Sequence, residues 1–127
     1  MKKIKVLVVD TKKGFSIETI NNSLDDFYSI IDCDCIDIAT RKIGNNGKYY
    51  DIICDDEGLL KDSPKVSAIS PSCKSMLVGN LIITNYNSNG ETTSLTENDI
   101  DYLLKYCQMF RHRITGEMIP LLTEVDY

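Results

Sequence analysis

The chain is poor in the groups that much enzymatic and membrane chemistry requires. It has one histidine in 127 residues, so a nucleophile activated by an imidazole base has a single candidate, His112, which stands between Arg111 and Arg113. Cations of this kind suit the end of a helix, and a solvated cap is the role expected of the "RHR" stretch. No catalytic residue is expected.

Long apolar runs are also missing. None approaches the ~18 residues that a membrane-crossing helix needs, so no membrane partner is expected. The opening "MKKIKVLVVD" has the basic start of a secretory signal, but its apolar run stops at Val9 and no small-residue cleavage site follows. It reads as a first strand.

Basic charge is in deficit too. With 14 basic against 19 acidic residues and a formal charge of -5, generic binding to nucleic-acid backbones is disfavoured, because that requires a basic footprint. The five cysteines are odd in number and follow no spaced framework. Reduced thiols in a cytoplasmic protein are expected.

What remains describes an ordinary globular domain. A hydrophobic content of 43% with 26% charged residues places the chain among folded proteins rather than disordered ones, and its length suits one domain. Residues 1–116 are expected to form that domain and residues 117–127 a short acidic tail.

Period-two alternation predicts a strand over Ile4–Val9, with Ile4, Val6 and Val8 on one face and Lys5, Leu7 and Val9 on the other. The turn "DTKKG" then returns Phe15–Ile20 as the second arm of a hairpin. Asn22 followed by Asp25 is cap-like, and Leu24, Phe27, Tyr28 and Ile31 fall at helical spacing. "IDCDCIDI" (31–38) is the seam where that helix ends at Ile31 and a strand begins near Cys35. "GNNG" (44–47) predicts the tip of a second hairpin, in a register that sets Ile38 opposite Ile53 and Cys54 opposite Asp37.

Residues 61–75, with two prolines and five serines, predict a long loop containing a short extended piece over Val66–Ile69. "MLVGNLIITNY" predicts one strand with a bulge at Gly79. In "SLTENDIDYLLKYCQMF", Thr96 and Asp99 form a capping-box pattern and Leu95 can staple against Ile100. Ile100, Leu103, Leu104, Cys107 and Phe110 give the helix one apolar stripe, and Gly116 provides a stop. The expected fold is α+β: a mainly antiparallel sheet of about five strands built from hairpins and covered by two helices.

The motifs that suggest chemistry fail on spacing. Cys33, Cys35 and Cys54 with His112 make a poor zinc set, because a lone CxC lacks the second pair of a knuckle. "NYNSNGETTSLT" has no carboxylate at the first ligand positions of a calcium loop and carries Thr96 where the bidentate acid belongs. "GNNGK" lacks both the spacer and the hydroxyl of a phosphate loop. No metal and no cofactor is expected. Asp55, Asp56 and Glu57, with Tyr49, Tyr50 and Arg41 on the same predicted hairpin, combine acids, aromatics and an arginine of the kind enriched at protein interfaces. These six are the candidate partner-binding residues.

The order of "KVLVVD", "NSLDDFYSII", "IDIA", "YDIICDDEGLL", "LVGNLIITN" and "TSLTENDIDYLL" resembles a family of small uncharacterised proteins, a domain of unknown function carried by phages and conjugative elements of gut Gram-positive bacteria. The likeness runs over residues 3–105. It includes an acidic turn like Asp56–Glu57–Gly58, a glycine-containing strand like Val78–Ile83 and a helix start like Ser94–Thr96. Asp32 and Cys33 stand where the family tends to have two glycines.

The resemblance implies a mobile genetic element inside a bacterial cytoplasm and assigns no catalytic residue. With the acidic balance, it leads to the expectation of a non-enzymatic protein binder that antagonises a host defence component, such as a restriction or CRISPR nuclease. Two alternatives stand beside it: a small-ligand or nucleotide-binding domain, enzymatic or not, with its site between the hairpins and the 61–75 loop, and a structural or regulatory homo-oligomer.

Overall fold

A computed structural model describes residues 2–58 and 64–127. Among these residues two sheets and two helices make an α+β architecture in three layers. The larger sheet has the order β11-β3-β4-β7-β1-β2, with β8 (Thr92–Thr93) attached to β7. Its hairpins are β1 (Lys3–Asp10) with β2 (Gly14–Asn21), and β3 (Ile36–Ile43) with β4 (Tyr49–Asp55). Between them lies β7 (Leu81–Tyr86), antiparallel to both β1 and β4. Consequently β1 and β4 run parallel and end on the same side of the sheet.

Alternation along β1 builds two cores. Ile4, Val6 and Val8 pack with Ile53 and Ile82 against Phe27 and Ile31 of α1 (Leu24–Ile31). Leu7 and Val9 face the opposite way, into a core with Ile52, Leu81 and Ile83, with Leu95, Ile100 and Leu103 around α2 (Glu97–Leu104), and with Ala68 and Leu122 of the second sheet. The expected assignment of β1 residues to faces therefore holds. So does the second hairpin: Ile38 pairs with Ile53 and Asp37 with Cys54.

The second sheet, β6-β5-β10-β9, was not expected. It consists of β5 (Val66–Ile69), β6 (Ser75–Val78), β9 (Cys107–Arg111) and β10 (Met118–Leu122). Four expectations change with it. Eleven strands replace five among the described residues. In the 61–75 stretch the expected extended piece over Val66–Ile69 is present as β5, but it is followed by a turn leading into β6 rather than by a long loop, while residues 61–63 lie outside the described residues. "MLVGNLIITNY" is two strands in different sheets, separated at Gly79, whose φ of 78° bends the chain and whose N–H donates to the Lys65 carbonyl at 2.8 Å. Finally, residues 117–127 are woven into both sheets: Leu122 of β10 and Val125 of β11 (Val125–Asp126) are fully buried, and β11 pairs with β3.

The helix ends also differ in detail. Ser23 rather than Asn22 caps α1, its hydroxyl accepting from the Asp26 N–H at 3.3 Å. Asp32 closes the helix with φ 62°. In α2 the capping box of Thr96 and Asp99 is present, but the helix stops at Leu104, itself exposed, and Cys107 and Phe110 belong to β9. His112 therefore does not cap a helix. Its Nδ1 accepts from the N–H groups of Ile114 and Thr115 at 3.2 and 3.3 Å, shaping the β9–β10 turn.

Candidate functional site

Strand direction decides where the acids gather. β1 ends at Asp10 and β4 at Asp55 on the same side of the sheet, and the antiparallel β3 begins there, with Ile36 opposite Asp55. Helix α1 delivers Asp32 and the connection through Asp34 to that start, with Asp37 following in β3. Asp56 and Glu57 occupy the turn after β4. Seven of the 19 acidic residues thus form a rim at one end of the molecule.

The chain folds locally to hold them. Asp10 accepts from the N–H groups of Lys12 and Lys13 at 2.8 and 3.0 Å, and Asp55 accepts from the Glu57 N–H at 2.9 Å. Each strand ends on an aspartate whose carboxylate organises the next turn. The Asp56 N–H donates to the Cys35 carbonyl at 3.0 Å, which fixes the acidic turn beside the start of β3. Asp32, Asp34, Asp37, Asp56 and Glu57 are exposed, while Asp10 and Asp55 are half-buried.

At this end lies a cleft of about 410 Å³ whose lining includes three of the seven, Asp10, Asp32 and Asp55, together with Lys12, Lys13 and Lys65. Asn80 braces it: its Oδ1 accepts from the Thr11 N–H at 2.9 Å, and its amide donates to the Ile30 carbonyl at 3.0 Å. One side chain so ties β7 to the first hairpin and to α1. Its sequence signal was the "GN" pair interrupting an apolar run, which announces a break in the strand without saying what the asparagine holds.

The other expected residues sit elsewhere. β4 carries Tyr49 at its first residue and Asp55 at its last, a separation of about 20 Å at the usual rise per residue. Tyr49 is 41% exposed and receives Lys42 over its ring at 5.9 Å; the Arg41 guanidinium lies over the Tyr127 ring at 4.5 Å. Tyr50 is fully buried. The acids and the aromatics are thus at opposite ends of one hairpin.

Tyr50 belongs to a buried polar network. Its hydroxyl donates to Asp99 Oδ1 at 3.0 Å; Lys48 Nζ reaches the same oxygen at 2.8 Å, and the Asn85 amide and the Thr96 N–H donate to Oδ2 at 2.7 and 3.0 Å. Burial alone would raise the Asp99 pKa, but the Lys48 ammonium and the donors from Thr96 and Asn85 hold it well below the usual carboxylate range. Burial pushes the Tyr50 phenol up to about 12. Every carboxylate oxygen is engaged, so the network joins the β3–β4 tip to α2 structurally.

The cysteines do not converge. Cys33 packs on the α1 side of the sheet and Cys54 in the core on the opposite side, while His112 lies in the β9–β10 turn. Among the described residues no three His, Cys, Asp or Glu side chains are grouped so as to hold a metal ion. Burial, with Asp37 next in effect, raises the Cys54 thiol to about 11, and burial raises Cys107 to about 12.

The geometry defines an α+β domain of two sheets with a cleft and a gathering of acids at one end. Residues 4–111 match the family model described as a domain of unknown function, DUF3846, and the chain belongs to that family. No curated protein and no solved structure is significantly similar to it. Among the described residues no helix is long and apolar enough to cross a membrane.

Proposed function

We propose that the chain is a non-enzymatic binding protein of a mobile genetic element, acting in the cytoplasm, whose acidic rim occupies a basic surface of a protein partner. The partner of matching chemistry is a host defence nuclease of the restriction or CRISPR type, whose nucleic-acid channel must be basic to hold phosphates. The observation that supports this reading is the gathering of Asp10, Asp32, Asp34, Asp37, Asp55, Asp56 and Glu57 at one end. An even scatter of acids would offer no such face. Concentrated negative charge accelerates association with a basic channel and disfavours acidic competitors.

The test is affinity capture with the tagged chain from lysate of a bacterium carrying the element, followed by a cleavage assay on the captured nuclease. Stoichiometric recovery and loss of DNA cleavage are expected. Recovery of no nuclease, or of one that cleaves normally while bound, contradicts the proposal.

A second reading draws on the cleft itself. Its volume of about 410 Å³ falls in the usual range for small-molecule sites, and Lys12, Lys13 and Lys65 are suited to an anionic ligand such as a nucleotide. Native mass spectrometry of the purified chain distinguishes the two: a retained nucleotide mass favours this reading, and the bare polypeptide mass favours the first.

A further inference from the structure

The two edges of the large sheet differ in how they are protected. The β3 edge is capped at one end by β11, which pairs with Lys42 and Ile43, and its uncovered length carries Asp37 and Arg41. At the other edge, β2 is hydrogen-bonded to β1 alone among the described strands, in an uninterrupted register from Lys3↔Asn21 to Asp10↔Gly14, and β10 packs near it without pairing to it. Its sequence, GFSIETIN, contains no lysine and no proline, and no bulge bends it. Charged side chains, prolines and bulges are the devices by which proteins blunt an edge that would otherwise accept another strand. β2 has a single charge, Glu18, and a large apolar side chain, Ile17, that is 38% exposed.

We infer that β2 is a self-association edge on which a second copy of this chain adds its own β2 in antiparallel orientation, about a two-fold axis at Ile17. In this register Ile17 meets its counterpart, Ser16 stands opposite Glu18 of the other copy, and Phe15 stands opposite Thr19. The pairing is self-complementary, as an isologous contact must be. No like charges face each other, and the Ser16 hydroxyl can donate to the Glu18 carboxylate. A two-fold axis one residue further along would oppose Glu18 to Glu18, which cross-strand pairing disfavours. Met109, 46% exposed, lies beside Gly14 at the end of the same edge and lengthens its apolar margin. The inference does not depend on the acidic rim.

Sedimentation velocity on the full chain tests it, with three variants. The native chain is expected to move with concentration from its monomer mass of 14.3 kDa to twice that value by about 100 µM. Ile17→Lys should raise the concentration for half-association at least about tenfold by placing two ammonium groups against each other. Ser16→Glu should do the same by opposing Glu18, and adding Glu18→Lys to Ser16→Glu should restore association, because the pair is then oppositely charged. Circular dichroism of each variant separates a lost contact from a lost fold. A native chain that stays monomeric throughout, or a dimer indifferent to these well-folded variants, overturns the inference.

Discussion

Lys48 Nζ lies 2.8 Å from Asp99 Oδ1, fastening the tip of the β3–β4 hairpin to the first turn of α2. The carboxylate is buried and the ammonium half-exposed, so the carboxylate side dominates the energetics. Removing the charge should leave Tyr50 and Asn85 with poorer acceptors. Asp99→Asn is expected to destabilise the fold by ~2–4 kcal/mol, and Lys48→Met by less. Because the folded pKa lies below the unfolded value near ~4, the stabilisation is complete above that pH and is lost as pH falls. Urea titrations between neutral and strongly acidic pH should show this loss in the native chain and its attenuation in Asp99→Asn.

Tyr50 gives the opposite slope. Its phenol is held neutral in the core with a pKa of about 12 against an ordinary 10.0, so its contribution is complete below pH 10 and is lost as pH rises toward 12. Tyr50→Phe should flatten that part of the alkaline unfolding curve.

Gly44 combines a φ of +70° with a position where any Cβ would collide with the Tyr102 hydroxyl and the Tyr106 ring. Gly44→Ala is expected to cost ~2–4 kcal/mol. Gly47, at φ +76° but with nothing near its Cβ position, should cost only ~1 kcal/mol on the same change. Thermal or urea unfolding of the two variants checks the contrast.

The thiols should divide by exposure. Cys35 and Cys73 are exposed, whereas Cys54 and Cys107 are held protonated by burial, with pKa values of about 11 and 12. At pH 8 an aromatic disulfide reagent should modify Cys35 and Cys73 first and reach Cys54 and Cys107 only on unfolding. Labelling of Cys54 as fast as Cys35, located by peptide mapping, would contradict the packing described.

Where local pattern and tertiary contacts agreed, the fold was legible. The two faces of β1, the pairing of Ile38 with Ile53 and the Thr96–Asp99 capping box all follow from short-range rules. The extended piece over Val66–Ile69 and the strand character of Met76–Val78 were legible, but the second sheet was not, because β6 continued into β7 as one apolar run and β5 finds its other neighbour in β10, far along the chain. β9 was hidden in a run whose apolar spacing continued that of α2. The helix in fact ends where Tyr102 and Tyr106 pack over Gly44, a contact between distant parts of the chain. At the candidate site, Asp55–Glu57 was visible as a local cluster. Its convergence with Asp10 and Asp32 requires β1 and β4 to run parallel on either side of β7, which sequence periodicity does not encode.

The central claim is that the acidic rim is the binding surface, and charge reversal at matched net charge tests it most directly. Asp56→Lys with Glu57→Lys alters the rim. Glu91→Lys with Asp101→Lys makes the same change in formal charge at exposed positions toward the other end of the strands. Affinity for the captured partner, measured by calorimetry at two salt concentrations, should fall at least about tenfold for the rim variant and much less for the other, with the native affinity itself weakening as salt rises. Equal effects from the two variants, or none from the rim variant, would contradict the account.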